Sequence, residues 1–209
     1  MPSLKEFRVR IATVKSTAQI TRALQMVATA KLKRAQEAAQ AARPYATRMA
    51  SVIANLAAGA AGPGAPKLIA GTGSDEVHLL VVMTAERGLC GGFNANIAKK
   101  ARQEIKRLRD AGKQVKILTI GKKGNDALKR QFGQMIVGHI DRKSERKVTS
   151  EGASRIAREI TDRFERGEFD VATLVFARFK NLLTQIPTAL QLIPATAPAD
   201  APKIDLVGS

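Results

Sequence analysis

Residues 4–56, LKEFRVRIATVKSTAQITRALQMVATAKLKRAQEAAQAARPYATRMASVIANL, decide the fold of this chain. Two positions of a heptad repeat hold apolar or small uncharged side chains along the whole stretch, and only Thr21 and Gln25 among them are polar. Two such positions in every seven residues form the interface of a left-handed coiled coil. The stretch is therefore predicted to be one helix of about 80 Å that packs against a partner helix.

We call the apolar and alanine residues of these two positions the seam. Large side chains lie at its two ends and alanine fills the middle, which predicts a close approach of the partner helix there. The seam residues are Leu4, Phe7, Ile11, Val14, Ala18, Ala28, Leu32, Ala35, Ala39, Ala42, Met49, Ile53 and Leu56.

Outside the seam the same stretch is strongly basic, and only Glu6 and Glu37 oppose its lysines and arginines. Two interpretations stay open. The charges keep a solvated face soluble, or they belong to a shaft that runs past acidic surfaces. Under the second interpretation the candidate contact residues, which we call the basic face, are Arg22, Lys31, Lys33 and Arg34.

Composition limits the partners of the chain. A formal net charge of +17 over 209 residues favours an anionic partner, either nucleic acid, a membrane surface or an acidic protein. The chain has no tryptophan and one tyrosine, which argues against a platform that stacks bases. A single cysteine, Cys90, excludes an intramolecular disulfide and fits a reducing compartment. We expect neither a membrane-spanning segment nor a signal peptide.

The rest of the chain alternates between strand and helix patterns. Alternation of this kind predicts a parallel sheet with right-handed crossovers, and two final strands joined by a short connection predict a hairpin. The predicted strands cover 77–83, 114–120, 134–140, 170–179 and 185–193, and the predicted helices 94–111, 122–132 and 150–166. The fold class is therefore α/β: a long coiled-coil helix plus a Rossmann-like, five-stranded, mostly parallel sheet with an antiparallel end.

The same patterns divide the chain into segments. The helix is expected over residues 1–58, and a linker rich in glycine, alanine and proline over residues 59–74. The sheet domain is expected over residues 75–194, and a tail of disordered composition over residues 195–209.

No catalytic, cofactor-binding or metal-binding residue is predicted. The glycine-rich run over residues 87–94 lies where nucleotide-binding folds place a phosphate loop, but it matches neither G-x-x-x-x-G-K-[ST] nor G-x-G-x-x-G. The glycines of this loop, Gly88, Gly91 and Gly92, are instead expected to form a structural turn. His78 and His139 lack ligand-spaced neighbours, so each is expected to be a core histidine.

These residues resemble a known family, the gamma subunit of F-type ATP synthase, which is the rotating central stalk. The opening SLKEFRVRIATVKSTAQITRALQMVATAKLKRAQ at 3–36 is similar to the family's opening almost throughout. The family also has sequences similar to ARPYA at 42–46, ERGLCGGFN at 86–94, RFKN at 178–181 and LIP at 192–194. The resemblance covers about residues 3–194.

The resemblance implies a coiled-coil shaft joined to a Rossmann-like domain that binds no nucleotide. It implies a rotor subunit, not itself catalytic, that couples rotation of the membrane ring to the catalytic sites of a proton-translocating enzyme. The implied partners are the alpha and beta subunits of the hexamer, the epsilon and delta subunits and the membrane c-ring. The implied location is the cytoplasmic face of a bacterial inner membrane, as a peripheral protein.

One departure from the family is the point at which the sequence stops. Family members continue into a long C-terminal helix that pairs with the N-terminal one, whereas this sequence ends at Ser209. Either the chain is a fragment or truncated product, or that helix is supplied elsewhere.

Two other functions compete with the stalk. A basic nucleic-acid-binding protein explains the charge but neither the seam nor the sheet, and only the stalk predicts ATPase subunits as partners at physiological salt. A nucleotide-dependent enzyme with an unusual glycine loop predicts micromolar binding of ATP, ADP or NAD by the sheet domain. No nucleic acid and no nucleotide is expected to bind.

Overall fold

The computed structural model describes residues 3–59, 65–143 and 148–195. The chain divides into two compact units, residues 1–51 and residues 52–209, and each unit is described by itself. Of the predicted tail over 195–209, only Ala195 belongs to the described residues.

The long helix α1 extends over Leu4–Gly59, so the prediction of one continuous N-terminal helix is confirmed. A capping box lies at the N-terminus of α1. The Ser3 backbone N–H donates to Glu6 Oε2 over 2.8 Å, and the Glu6 N–H donates to Ser3 Oγ over 3.3 Å. Such a reciprocal pair satisfies two of the donors that a helix start leaves unpaired. The helix continues through Pro44.

The sheet has five strands in the spatial order β3-β2-β1-β4-β5. Its strands are β1 Val77–Met83, β2 Gln114–Ile120, β3 Ile136–Ile140, β4 Val171–Phe179 and β5 Gln185–Ile193. The pairs β1–β2, β1–β4 and β2–β3 are parallel, whereas β4–β5 is antiparallel. This topology confirms the predicted fold class.

Among the described residues, four further helices accompany the sheet: α2 Lys67–Ala70, α3 Phe93–Asp110, α4 Lys122–Phe132 and α5 Ser150–Glu165. Helix α2 is a short helix within the segment that was predicted to be a linker. The strand predicted from residue 134 begins only at Ile136, because Gly133–Met135 forms a 3-10 turn.

Apolar side chains cover both faces of the sheet. One core joins Leu80, Val82 and Ile117 to Ile97, Ala101, Ile105 and Leu108 of α3 and to Leu128 and Phe132 of α4. The second core joins Leu79, Val81 and Leu118 to Ile156, Ile160 and Phe164 of α5. A parallel sheet that helices cover on both faces needs strands that are apolar on both faces, and VHLLVVM in β1 has that pattern apart from His78.

The carboxylate of Asp170, just before β4, accepts hydrogen bonds from the segment that leads into β1. Its Oδ2 accepts the backbone N–H groups of Glu76 and Val77 over 3.1 and 3.0 Å, and Thr72 Oγ1 donates to its Oδ1 over 2.8 Å. The hydrogen bond from the Val77 N–H is the main reason why the pKa of Asp170 is lowered. The carboxylate therefore contributes more to stability charged than protonated.

Candidate functional site

The seam lies on the surface of α1. The side chains of Leu4, Phe7, Ile11 and Val14 are exposed to 80%, 47%, 54% and 67%, and Leu32 and Leu56 are also exposed. The seam alanines are exposed as well, whereas Ile53 is half-buried. A row of large exposed apolar side chains on one helix is a surface of the kind that partners bind.

Thr21, a polar residue at one of the two heptad positions that form the seam, satisfies its own hydroxyl group. Thr21 Oγ1 donates to the Thr17 carbonyl oxygen over 2.9 Å, and Thr13 and Thr17 donate in the same way to Val9 and Thr13. A threonine whose hydroxyl is bonded to its own helix can enter an apolar interface without burying an unpaired donor. Thr21 is therefore compatible with burial in the seam.

The basic face is solvated and nearly free of opposing charge. Lys33 Nζ lies 4.0 Å from Glu37 Oε1, with both side chains well exposed. Exposed pairs of this kind contribute at most about 1 kcal/mol. Within residues 3–59, Arg22, Lys31 and Arg34 have no carboxylate oxygen within 4.0 Å. Three of the four predicted contact residues are therefore available to an acidic partner.

The glycine loop between β1 and α3 is held by the Asn94 side chain. Its Oδ1 accepts the Ala85 N–H over 3.0 Å, and its Nδ2 lies 3.0 Å from Cys90 Sγ. Gly91 adopts φ 59°, a left-handed conformation that favours glycine. Gly88 and Gly92 lie in the same loop at negative φ, and Leu89 at the tip is fully exposed. Both ends of the Asn94 side-chain amide are therefore used within the loop.

At the start of α4, the chain's own carboxylate occupies the position that anions favour. Oε2 of Glu86 accepts the Lys122 N–H over 3.1 Å, and Oε1 accepts the Arg142 N–H over 2.9 Å. Backbone N–H groups at a helix start are the usual phosphate ligands of nucleotide-binding folds. Gly124 packs tightly here, because a Cβ atom on it would lie 2.8 Å from Thr84 Oγ1. A phosphate would have to displace Glu86.

The two histidines differ in their surroundings. His78 is buried in β1 as predicted, and its Nε2 lies 2.9 Å from Asp75 Oδ1. Lys113 lies 3.1 Å from the other oxygen of Asp75, and its hydrogen bond is the main cause of the lowered pKa of Asp75. The expectation for His139 was wrong: it is exposed on the edge strand β3, with Nδ1 3.0 Å from Thr119 Oγ1.

Within residues 3–59, 65–143 and 148–195, no group of three His, Cys, Asp or Glu side chains is placed to hold a metal ion. Among the helices of the same residues, none is both long enough and apolar enough to cross a membrane.

Glu86, Asn94 and Asp170 were not among the residues predicted from the sequence. Each of the three accepts backbone N–H groups, and for Glu86 and Asp170 the donors lie far away in the chain, 36 residues for Lys122 and 93 for Val77. No local sequence pattern predicts a hydrogen bond between residues so far apart in the chain. The one available signal was a polar residue shortly after a buried strand, and it fits Glu86, the third residue after β1.

Comparison with known proteins agrees with the fold and with the motifs. The family model described as ATP synthase matches residues 3–206. The ATP synthase gamma chain of Ruegeria sp. (strain TM1040) is 61% identical over 201 residues, which are 96% of this chain and 69% of the relative. That of Hyphomonas neptunium is 58% identical over 210 residues, which are 100% of this chain and 72% of the relative.

A solved structure is similar as well. The cryo-EM structure of the Tetrahymena thermophila mitochondrial ATP synthase central stalk and c-ring contains a chain with a TM-score of 0.60 and 25% identity. The match covers 84% of the present chain and 72% of that one. The present chain therefore belongs to the ATP synthase gamma chain family, and it is a non-catalytic rotor subunit of the central stalk.

Proposed function

We propose that the seam of α1 packs against a second long helix, and that the pair transmits rotation to the catalytic alpha and beta subunits. One observation carries the proposal, namely that the seam residues up to Met49 are exposed along α1. Burying a large apolar side chain contributes about 1.5–3 kcal/mol. Closing the seam against a partner would therefore stabilise a shaft that is otherwise a solvated helix.

The alanines in the middle of the seam set how closely the partner approaches. Ala28, Ala35, Ala39 and Ala42 carry only a methyl group, so two helix axes can come nearer here than at the leucines and isoleucines of the two ends. A narrow shaft that turns inside a ring of subunits benefits from this close approach.

The further partners are those of the central stalk. They are the alpha and beta subunits around the shaft, the epsilon and delta subunits, and the membrane c-ring. Support comes from the similar Tetrahymena chain, whose structure is one of a central stalk and c-ring. The basic face suits acidic surfaces on the catalytic subunits. The proposed location is the cytoplasmic face of a bacterial inner membrane, as a peripheral protein.

Two matched substitutions test the seam. Ala35→Leu places a large side chain in the narrow part of the seam, and overpacking costs about 1–3 kcal/mol. Ala38→Leu makes the same change off the seam, and both alanines are exposed on α1. Each variant is reconstituted with the other stalk and hexamer subunits, and assembly and ATP-driven rotation are measured. Ala35→Leu is expected to weaken both and Ala38→Leu neither, whereas equal effects would contradict the proposed register.

A further inference from the structure

A second charged surface lies in the sheet domain, between α3 and α4. Arg102, Lys106 and Arg109 follow one another at intervals of four and three residues, so their side chains lie along one face of α3. They line a groove of about 520 Å³ together with Asp110 and Gln131. We call it the α3–α4 groove. Of the described residues that line it, Asp110 alone carries a carboxylate.

A neighbouring cavity continues the basic surface along α4. It has a volume of about 790 Å³, is lined by Lys129 and Arg130, and shares Gln131 and Phe132 with the α3–α4 groove. Arg102 joins the two helices, because its Nη2 donates to the Ala127 carbonyl oxygen over 2.9 Å. One guanidinium group is thus held at the groove wall before any ligand arrives.

The cations on the two sides of α3 differ in whether a carboxylate lies beside them. On one flank Glu104 neutralises Lys100 and Arg107, which lie 2.9 and 2.8 Å from its oxygens. Burial raises the pKa of Glu104, but these two cations outweigh it, and the pKa is lowered. On the groove flank, Lys106 and Arg109 have no carboxylate oxygen within 4.0 Å among residues 3–59, 65–143 and 148–195.

We infer that the α3–α4 groove binds an acidic segment of another protein. Unpaired guanidinium and ammonium groups along a concave wall favour carboxylates, and Arg102 and Arg109 can each bind one through two N–H groups. The inference does not depend on the seam, since it concerns the sheet domain alone.

Two other polyanions fit the groove less well. Its aromatic ring, Phe132, is buried, so nucleic-acid bases have no platform on which to stack. No large hydrophobic side chain of residues 93–135 is exposed, so nothing beside the groove can enter a bilayer. The groove is concave, so a peptide chain that projects into it would contact a larger part of its wall than a flat membrane would.

The test compares two double variants of the full chain with equal charge change. Lys106→Gln with Arg109→Gln removes the two unpaired groove cations. Lys99→Gln with Lys122→Gln removes two exposed cations of the same helices that do not line the groove. The probes are a fluorescein-labelled oligoglutamate peptide, vesicles of phosphatidylcholine with phosphatidylglycerol, and a single-stranded oligothymidylate.

We expect the groove variant to bind the peptide about tenfold more weakly, because two exposed ion pairs are lost. The control variant should change peptide binding less than about twofold, and vesicle and oligothymidylate binding should fall equally in both variants. Equal weakening of peptide binding would mean that only net charge matters and would overturn the inference. A selective loss of vesicle or nucleic-acid binding in the groove variant would assign the groove to that ligand instead. Far-ultraviolet circular dichroism of both variants verifies that they are folded.

Discussion

The long helix and the sheet domain use similar apolar side chains in opposite ways. Leu79, Leu80 and Ile117 of the sheet are at most 1% exposed, whereas Leu4, Phe7 and Val14 of α1 are about half exposed or more. The sheet strands bury their apolar residues against α3, α4 and α5. Residues 1–51 form a compact unit of their own, and the seam residues up to Met49 lie on its surface. The sheet is therefore stabilised by its own core, whereas the helix is proposed to be stabilised by partners.

The largest effect expected from this difference is in amide hydrogen exchange. In a dilute solution of the full chain, we expect the amides of β1 and β2 to exchange about a thousandfold more slowly than those of residues 4–49. Core strands open only with the whole domain, whereas an isolated helix opens locally. Mass spectrometry of peptic fragments measures both regions in one sample.

The same exchange experiment can be repeated at several protein concentrations. Protection of α1 should rise with protein concentration, because the seam can close against a second copy. Protection should also rise when a peptide equivalent to the family's C-terminal helix is added. Oligomers that form through the seam at high protein concentration should then dissociate. A dilute monomer in which residues 4–49 are as well protected as β1 would contradict the view that the shaft needs a partner.

The contrast between the two units also explains what the sequence could predict. Periodicity is a local property, and it located α1, α4, β1, β2 and β5 with the bounds that the structure has, apart from the end of α1. It placed the start of β3 two residues early, since a short 3-10 turn has no apolar period of its own. The exposure of His139 depends on β3 being an edge strand. The sequence of a single strand does not predict its position in the sheet.

The polar contacts of the sheet domain could not be predicted from the sequence for a related reason. Thr72, Ser74 and Val77 meet Asp170 across more than 90 residues of sequence. Such contacts follow from the parallel pairing of β1 with β4, which brings the starts of both strands to the same edge. The seam, in contrast, was named from spacing alone, and its role as a helix–helix interface stays a prediction.

A matched pair of isoleucine substitutions tests the two sources of stability. Ile117→Ala removes a fully buried side chain of β2, and we expect the free energy of unfolding to fall by about 2–5 kcal/mol. Ile11→Ala removes an exposed seam side chain and should change it by less than about 0.5 kcal/mol in the dilute chain. Urea unfolding followed by circular dichroism gives both values, and similar losses would remove the distinction between the units.

A smaller effect, dependent on pH, is expected at Asp170. The lowered pKa means that the Asp170 carboxylate stabilises the fold above its ordinary pKa of 3.8, and that this stabilisation is lost as the pH falls through the folded value. Asp170→Asn should therefore cost about 1–2 kcal/mol at neutral pH and progressively less in acid. Asp126→Asn, an exposed change on α4, is the control. A cost for Asp170→Asn that stays constant down to pH 3 would show that the charge does not matter.

The smallest single effects are expected on the basic face, because its charges are solvated in the free chain. Each single change of Arg22, Lys31, Lys33 or Arg34 to alanine should alter assembly with the catalytic subunits by less than about 1 kcal/mol. The fourfold variant should weaken assembly clearly at low salt and less at high salt, since salt screens the contacts that it has lost. A second fourfold variant removes the same charge elsewhere on α1, at Arg8, Arg10, Lys15 and Arg48. If both variants assemble equally well at each salt concentration, the basic face only keeps the helix soluble.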